Sequence, residues 1–131
     1  MAQHVRDLMT PSPVTLSASS TLVDAALAMR DFDVGAVVVL DNGQIYGIAT
    51  DRDIVIRAIA NGNYPATTKL AEVCSRELVT VAPSDTVDDV VSLMRDKAVQ
   101  RVLVVENGQP VGIVSIGDLA SARTKGAFPR T

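Results

Sequence analysis

Two hydroxyl and carboxylate pairs, Thr50 with Asp53 and Ser115 with Asp118, are the side chains in this sequence best suited to chemistry. Each pair closes the same frame, Gly47-Ile48-Ala49-Thr50-Asp51-Arg52-Asp53 in one place and Gly112-Ile113-Val114-Ser115-Ile116-Gly117-Asp118 in the other. In both, a short apolar run ends on the hydroxyl and a helical pattern begins. The spacing supports two readings. In a capping box the hydroxyl accepts from the third helical amide and the carboxylate accepts from the amide of the hydroxyl residue. Alternatively, the helix N-terminus offers free amides and a partial positive charge to a phosphate, while the carboxylate accepts two hydrogen bonds from a ribose diol. Thr21 with Asp24 and Thr86 with Asp89 share the spacing, so spacing alone does not choose. Only Thr50/Asp53 and Ser115/Asp118 lie where a buried strand hands over to a helix, the place where open α/β folds bind ligands.

The frame is doubled because the chain is doubled. Residues 5–54 align without a gap on 70–119, with identity at about a third of positions, including Met29-Arg30-Asp31 on Met94-Arg95-Asp96 and Asn42-Gly43-Gln44 on Asn107-Gly108-Gln109. The first copy reads as strand Val14–Leu16, a helix capped by Ser19-Ser20-Thr21, central strand Val34–Leu40, an Asn-Gly hairpin turn, return strand Ile45–Ala49 and helix Asp51–Ala60. Ile54, Val55, Ala58 and Ile59 are expected on the inner side of that last helix. The second copy repeats the order: strand Val79–Val81, helix Asp85–Asp96, strands Val99–Val105 and Val111–Val114, helix Ile116–Arg123. The predicted organisation is repeat 1 over 1–61, a linker over 62–69, repeat 2 over 70–123 and a mobile tail over 124–131. The fold class is α/β (α+β), two tandem β-α-β-β-α repeats related by a pseudo-two-fold axis.

Composition narrows the function classes. With 131 residues, 47% hydrophobic but only 3% aromatic, the core must be built from Val, Ile, Leu and Ala. A net charge of -3 with scattered Lys and Arg argues against a nucleic-acid face. One cysteine, Cys74, excludes an internal disulfide, and no Cys/His set offers a structural zinc site. Neither a signal pattern nor a membrane-spanning run is present, so a cytoplasmic location and no membrane role are expected. One His and one Cys make no triad, and no phosphate-binding loop or dinucleotide fingerprint occurs, so no enzyme is expected.

The doubled Gly, hydrophobic, any, Thr or Ser, any, any, Asp frame on a β-α-β-β-α repeat resembles the CBS domain, over residues 5 to 122. Two tandem copies resemble a Bateman module. The resemblance implies a regulatory unit that binds adenosine-containing ligands such as AMP, ADP, ATP or S-adenosylmethionine in clefts between repeats, with no required cofactor, and that dimerises into a disc. It implies crossed sites. One takes Ser115 and Asp118 for ribose and phosphate, Met9, Val14, Val34 and Gly35 as the adenine wall, and Arg101 as phosphate partner. The other takes Thr50 and Asp53, with Cys74, Val79, Val99 and Gln100 as wall. Ala36 stands where Arg101 stands in the other copy, leaving Arg52 as its compensating cation. On that basis the Ser115/Asp118 site is expected to be the stronger phosphate site.

The remaining singletons read simply. Cys74 is expected as a small buried hydrophobe, His4 as a solvent-exposed residue of a frayed end, and Met29 and Met94 as packing against the other repeat. With no effector domain in the chain, a separate protein is the expected reader of ligand occupancy. The competing reading is a structural or protein-interaction protein of stress type, binding no ligand, whose Thr/Ser-x-x-Asp pairs only cap helices.

Overall fold

The computed structural model describes residues 3–119. The expected tail and the last helix beyond position 119 lie outside the described residues. The chain packs as two units, Val14–Leu78 and Met1–Pro13 with Val79–Thr131, called here the Thr50 unit and the Ser115 unit. The packing units therefore differ from the sequence repeats: residues 3–13 pack with repeat 2, and residues 62–78 pack with repeat 1.

In the Thr50 unit a three-stranded sheet has the order β2 (Thr15–Ser17), β3 (Ala36–Asp41), β4 (Gln44–Thr50). β2 runs parallel to β3, and β4 returns antiparallel with Ala36 opposite Thr50. Ala36, Val37, Val38 and Val39 are all buried, as a β-branched run covered on both faces requires. Helix α1 (Leu22–Phe32) starts on the Thr21/Asp24 capping box and ends at Asp33, φ 52°. Helix α2 begins at Asp51–Asp53 and continues over Ile54–Ile59 as wider π turns, with the Ala60 amide donating to the Val55 carbonyl five residues back. Leu22 and Ala25 of α1, Ile54 and Ala58 of α2, and Val37, Val39 and Ala49 of the sheet share one core with Leu70, Val73 and Cys74. Val37 and Val39 point to the same face, so both helices cover that face.

The expected inner stripe on α2 is only half present. Ile54 and Ala58 are buried, whereas Val55 and Ile59 are 52% and 51% exposed. The bonds there close five residues back instead of four, so the α-helical spacing that put all four residues on one side does not hold over Ile54–Ile59.

The Ser115 unit repeats this plan on a four-stranded sheet of order β1 (Thr10–Pro11), β7 (Gln109–Ser115), β6 (Arg101–Glu106), β5 (Thr80–Val81). Helix α3 (Val87–Lys97) packs Val87, Val90 and Met94 against Val102, Val104 and Val114. Helical structure resumes at 116–119. Both hairpins turn on Asn-Gly at positive φ, 52° and 78° at Asn42-Gly43 and 53° and 76° at Asn107-Gly108, the pair of values that a two-residue hairpin demands. Met94 packs in the core of the Ser115 unit and Met29 against the core of the Thr50 unit.

One exchanged element recurs in both units. β1 places Thr10 opposite Ile113 in β7, and Ser75 is opposite Ile48 in β4, the same register sixty-five residues away in each partner. His4 is drawn into this plan. Its backbone bridges to Thr86 and its amide donates to Asp7 Oδ2 at 3.2 Å, so the chain is paired there rather than frayed.

Candidate functional site

In each unit the motif residues and several expected wall residues gather at one end of the sheet. In the Thr50 unit that end holds Val14 before β2, Val34 and Gly35 before β3, Thr50 at the end of β4 and Asp53 beyond it. In the Ser115 unit it holds Val79 before β5, Val99 and Gln100 before β6, Arg101 at the start of β6, Ser115 at the end of β7 and Asp118 beyond it. Because β3 and β4 are antiparallel, this is the carboxyl end of β4 but the amino end of β2 and β3. The carboxyl-end rule for open parallel sheets therefore applies to one strand of each unit.

The hydrogen bonds of the two turns correspond bond for bond. The Asp53 amide donates to Thr50 Oγ1 at 3.1 Å and the Thr50 amide to Asp53 Oδ2 at 3.0 Å. In the other turn the Asp118 amide donates to Ser115 Oγ at 3.1 Å and the Ser115 amide to Asp118 Oδ2 at 2.9 Å. Both are complete capping boxes. The first helical amide is also engaged in each, Asp51 N–H with the Gly35 carbonyl at 3.0 Å and Ile116 N–H with the Gln100 carbonyl at 2.9 Å. Free amides at the helix start, expected for a phosphate, are thus mostly spent on the turn itself.

Burial separates these pairs from ordinary caps. Asp53 and Asp118 are half-buried, whereas Asp24 and Asp89 are exposed. A half-buried carboxylate that commits one oxygen to a cap keeps a second oxygen with acceptor capacity. At Asp53 that oxygen, Oδ1, lies 3.8 Å from Arg57 Nε.

Arg57 is the residue that sequence reasoning passed over. Its guanidinium also donates to the Val73 carbonyl at 3.3 Å, which fixes it beside Asp53 and the Cys74 segment. The signal was available in the i, i+4 spacing of Asp53 and Arg57. Arg52, expected as the cation here, is exposed, and its amide donates to Asp51 Oδ1 at 2.8 Å. Arg101 lies directly opposite Ser115 in the β6–β7 ladder, so the two side chains leave the sheet on the same face.

The frame glycines are explained by the exchanged segments. A Cβ on Gly47 would stand 2.5 Å from the Ser75 carbonyl oxygen and 3.0 Å from Cys74 Sγ. One on Gly112 would collide with Met9, meeting Cγ at 2.8 Å and Sδ closer still. Cys74 and Met9, both expected as wall residues, therefore occupy matching places against the two frames. Cys74 is buried in the core as expected, and burial pushes its thiol above its ordinary value, with the nearby Arg76 guanidinium pulling the other way. Arg76 stacks on the Tyr46 ring 3.6 Å from its centroid and donates to the Tyr46 carbonyl at 2.8 Å, holding this segment on β4.

Comparison with known proteins matches this plan. A family model described as CBS domain fits residues 5–59 and 70–125. The CBS domain-containing protein YhcV of Bacillus subtilis is 39% identical over 116 residues, covering 88% of this chain and 82% of that protein. The crystal structure of Hypoxic Response Protein I with two coordinated zinc ions superposes with a TM-score of 0.78 at 30% identity, covering 91% of this chain and 98% of that one. A hexameric CBS-CP12 protein from bloom-forming cyanobacteria superposes with a TM-score of 0.87 at 26% identity, covering 100% of this chain and 78% of that one. Among the described residues here, no group of three or more His, Cys, Asp or Glu side chains could hold a metal ion. No described helix is long and apolar enough to cross a membrane.

Proposed function

The chain belongs to the CBS domain family, and on that premise we propose that it is a regulatory module that senses an adenosine-containing ligand of the AMP, ADP, ATP or S-adenosylmethionine class. The observation that carries this reading is the pair of half-buried carboxylates, Asp53 and Asp118, each with one oxygen in a capping box and the other with acceptor capacity for a ribose diol, at Asp53 beside the Arg57 guanidinium. Ser115 and Asp118 serve the ribose and Arg101 the phosphate; at the other turn Thr50 and Asp53 take the ribose. The module works in the cytoplasm as a homodimer, acts on a separate protein and catalyses no reaction.

The two turns differ in how they meet an anion. At Thr50/Asp53 the second helical amide is occupied by the Asp51 carboxylate, which itself repels phosphate. At Ser115/Asp118 the corresponding positions are Gly117 and Ile116, with no carboxylate. Arg57 partly offsets Asp51, but its charge is already shared with Asp53. The Ser115/Asp118 turn is therefore the phosphate site and Thr50/Asp53 the site for a less charged adenosine ligand.

The structural reading, a protein-interaction protein of stress type that binds no ligand, draws on the same turns, because their capping bonds are complete without a ligand. Thermal shift separates the two. A ligand at a hundred times its dissociation constant stabilises by about 2.7 kcal/mol, roughly 8 to 14 °C in a domain this size. A shift of that order is expected from at least one of AMP, ADP, ATP, S-adenosylmethionine and NAD at millimolar concentration. A flat response to all five would support the structural reading, and turnover of any of them would remove the non-catalytic assignment.

A further inference from the structure

The oxygen that Asp53 offers to a ribose already has a cation beside it. Oδ1 lies 3.8 Å from Arg57 Nε, in a pair whose carboxylate is 15% exposed and whose guanidinium is 54% exposed. The carboxylate cannot turn away, because Oδ2 accepts from the Thr50 amide at 3.0 Å and the Asp53 amide is held by Thr50 Oγ1 at 3.1 Å. Guanidinium and diol are both donors, so neither can serve the other in place of the oxygen. A ligand that takes Oδ1 must move Arg57.

The duplication shows that the cap itself does not require this cation. Sixty-five residues on from Asp53 and Arg57 stand Asp118 and Ala122, and the capping box at Ser115 and Asp118 forms with the same two bonds. A pair as exposed as Asp53 and Arg57 adds little stability. Yet Arg57 is not loosely placed. Its Nη1 donates to the Val73 carbonyl at 3.3 Å, and the Asn61 side-chain amide donates to its own carbonyl at 2.9 Å. It also sits in the π turns of Ile54–Ile59, which start at the residue after Asp53. Such turns are rare and concentrate at functional sites.

The other end of the Arg57 contact is the exchanged segment, which the two units hold differently. In the Ser115 unit it is a strand, with Thr10 and Pro11 paired to β7 and the Ser12 amide donating to the Val111 carbonyl at 3.2 Å. In the Thr50 unit it is a single bridge, Ser75 on Ile48, helped by side chains: Arg57 on the Val73 carbonyl, and Arg76 on the Tyr46 ring and carbonyl. At the positions of Arg57 and Arg76 the other copy has Ala122 and Pro11. One of the ties on the Thr50 segment is thus made by the same guanidinium that stands over the ribose oxygen.

We propose that Arg57 is a positioning residue that guards the Thr50/Asp53 turn: it competes with the ligand ribose for Asp53 Oδ1, and its displacement loosens the segment Val73–Arg76. This rests on the reading of that turn as an adenosine site, yet it fails separately from it. Asp118→Ala confines adenosine to the Thr50/Asp53 turn. In that background Arg57→Met, which keeps the stem and removes the charge, should tighten adenosine about two- to fivefold by calorimetry, the value of a part-exposed ion pair. Arg57→Lys keeps the charge and should leave the affinity near that of Asp118→Ala. A merely structural role for Arg57 would not tighten binding. Hydrogen exchange reads the segment: saturating adenosine should speed exchange of the Ser75 amide in Asp118→Ala, and Arg57→Met should show the faster exchange without ligand and no further response. The adenosine response of Ser75 decides the matter if Arg57→Met does not fold. Absence of adenosine binding from both Asp118→Ala and its Arg57→Met derivative would overturn the site reading and this one with it. Binding that Arg57→Met leaves unchanged or weakens, or Ser75 exchange that adenosine slows, would overturn the role of Arg57 alone.

Discussion

The turns at Thr50–Asp53 and Ser115–Asp118 share a backbone and differ in where their charges stand. Each makes the same two capping bonds, ties its first helical amide to the residue before the central strand, and has a frame glycine pressed by an exchanged segment. The first turn keeps its cation on the helix, as Arg57, and adds the Asp51 carboxylate. The second keeps its cation on the strand, as Arg101 opposite Ser115, and leaves Ile116 and Gly117 at the helix start. Duplication preserved what the backbone needs. Side chains that meet only solvent or a ligand were free to diverge.

The shared part is tested by the glycines, where the largest effect is expected. In Gly47→Ala the new methyl group meets a backbone carbonyl, that of Ser75, whose strand position is fixed by reciprocal bonds with Ile48 of 3.0 and 2.8 Å. Backbone cannot yield cheaply, so a loss of about 2 to 3 kcal/mol is expected, or roughly 6 to 15 °C in melting temperature. In Gly112→Ala the obstacle is the Met9 side chain, which can change rotamer, and a loss of about 1 kcal/mol should follow. Adding Met9→Ala should recover part of the second loss. Equal losses for the two glycines would show that the exchanged segments do not press on the frames as described.

The carboxylates test the shared chemistry next. Asp53→Ala and Asp118→Ala should each cost about 1 kcal/mol of stability through the lost cap. Calorimetric titration should then show Asp118→Ala weakening AMP and adenosine alike by about 10 to 100-fold, the value of a hydrogen bond to a charged acceptor. Asp53→Ala should leave the tighter AMP event in place. If both variants lose stability and neither changes binding, the turns are caps and nothing more.

The cations sharpen the difference with a smaller effect. Arg101→Ala should weaken AMP by about tenfold while leaving adenosine unchanged, because only the phosphate meets the guanidinium. Arg57→Ala should leave AMP at the Ser115/Asp118 turn unaffected. A loss of adenosine binding equal to that of AMP in Arg101→Ala would assign Arg101 to the fold instead.

What could be read in the sequence was whatever local chemistry decides alone. Asn42-Gly43 and Asn107-Gly108 announced their hairpins because few other residues reach those φ values, and Thr50 with Asp53 announced a cap because three residues of spacing suffice. The exchanged segments could not be read, since nothing local tells Pro11 or Ser75 which strand it will meet. Nor could the widening of α2, which removes Val55 and Ile59 from the inner stripe although their spacing is that of a buried helix face. Arg57 was half legible: its i, i+4 spacing pairs it with Asp53, but its tie to Val73, sixteen residues away, is not local.

The smallest effect separates the two segments that press on the frames, since one presents a thioether at Met9 and the other a thiol at Cys74. Desolvation raises the folded-state value of the Cys74 thiol, an effect Arg76 only partly reverses. The native chain therefore holds its thiol proton at pH values where the unfolded chain has begun to lose it. The unfolded state binds fewer protons in that window, so stability falls as pH rises, beginning near the ordinary thiol value and levelling once the folded thiol ionises. Below that window the Cys74 contribution is complete and constant. Urea unfolding of the wild type from pH 7 to 10 should show a decline in the alkaline range that Cys74→Ala lacks, after allowance for the fixed cost of the smaller side chain. Met9→Ala should leave the alkaline slope unchanged, because a thioether does not titrate. Parallel slopes in wild type and Cys74→Ala would mean that the thiol beside Gly47 is hydrated in solution and that its segment sits less firmly on β4 than Met9 sits on β7.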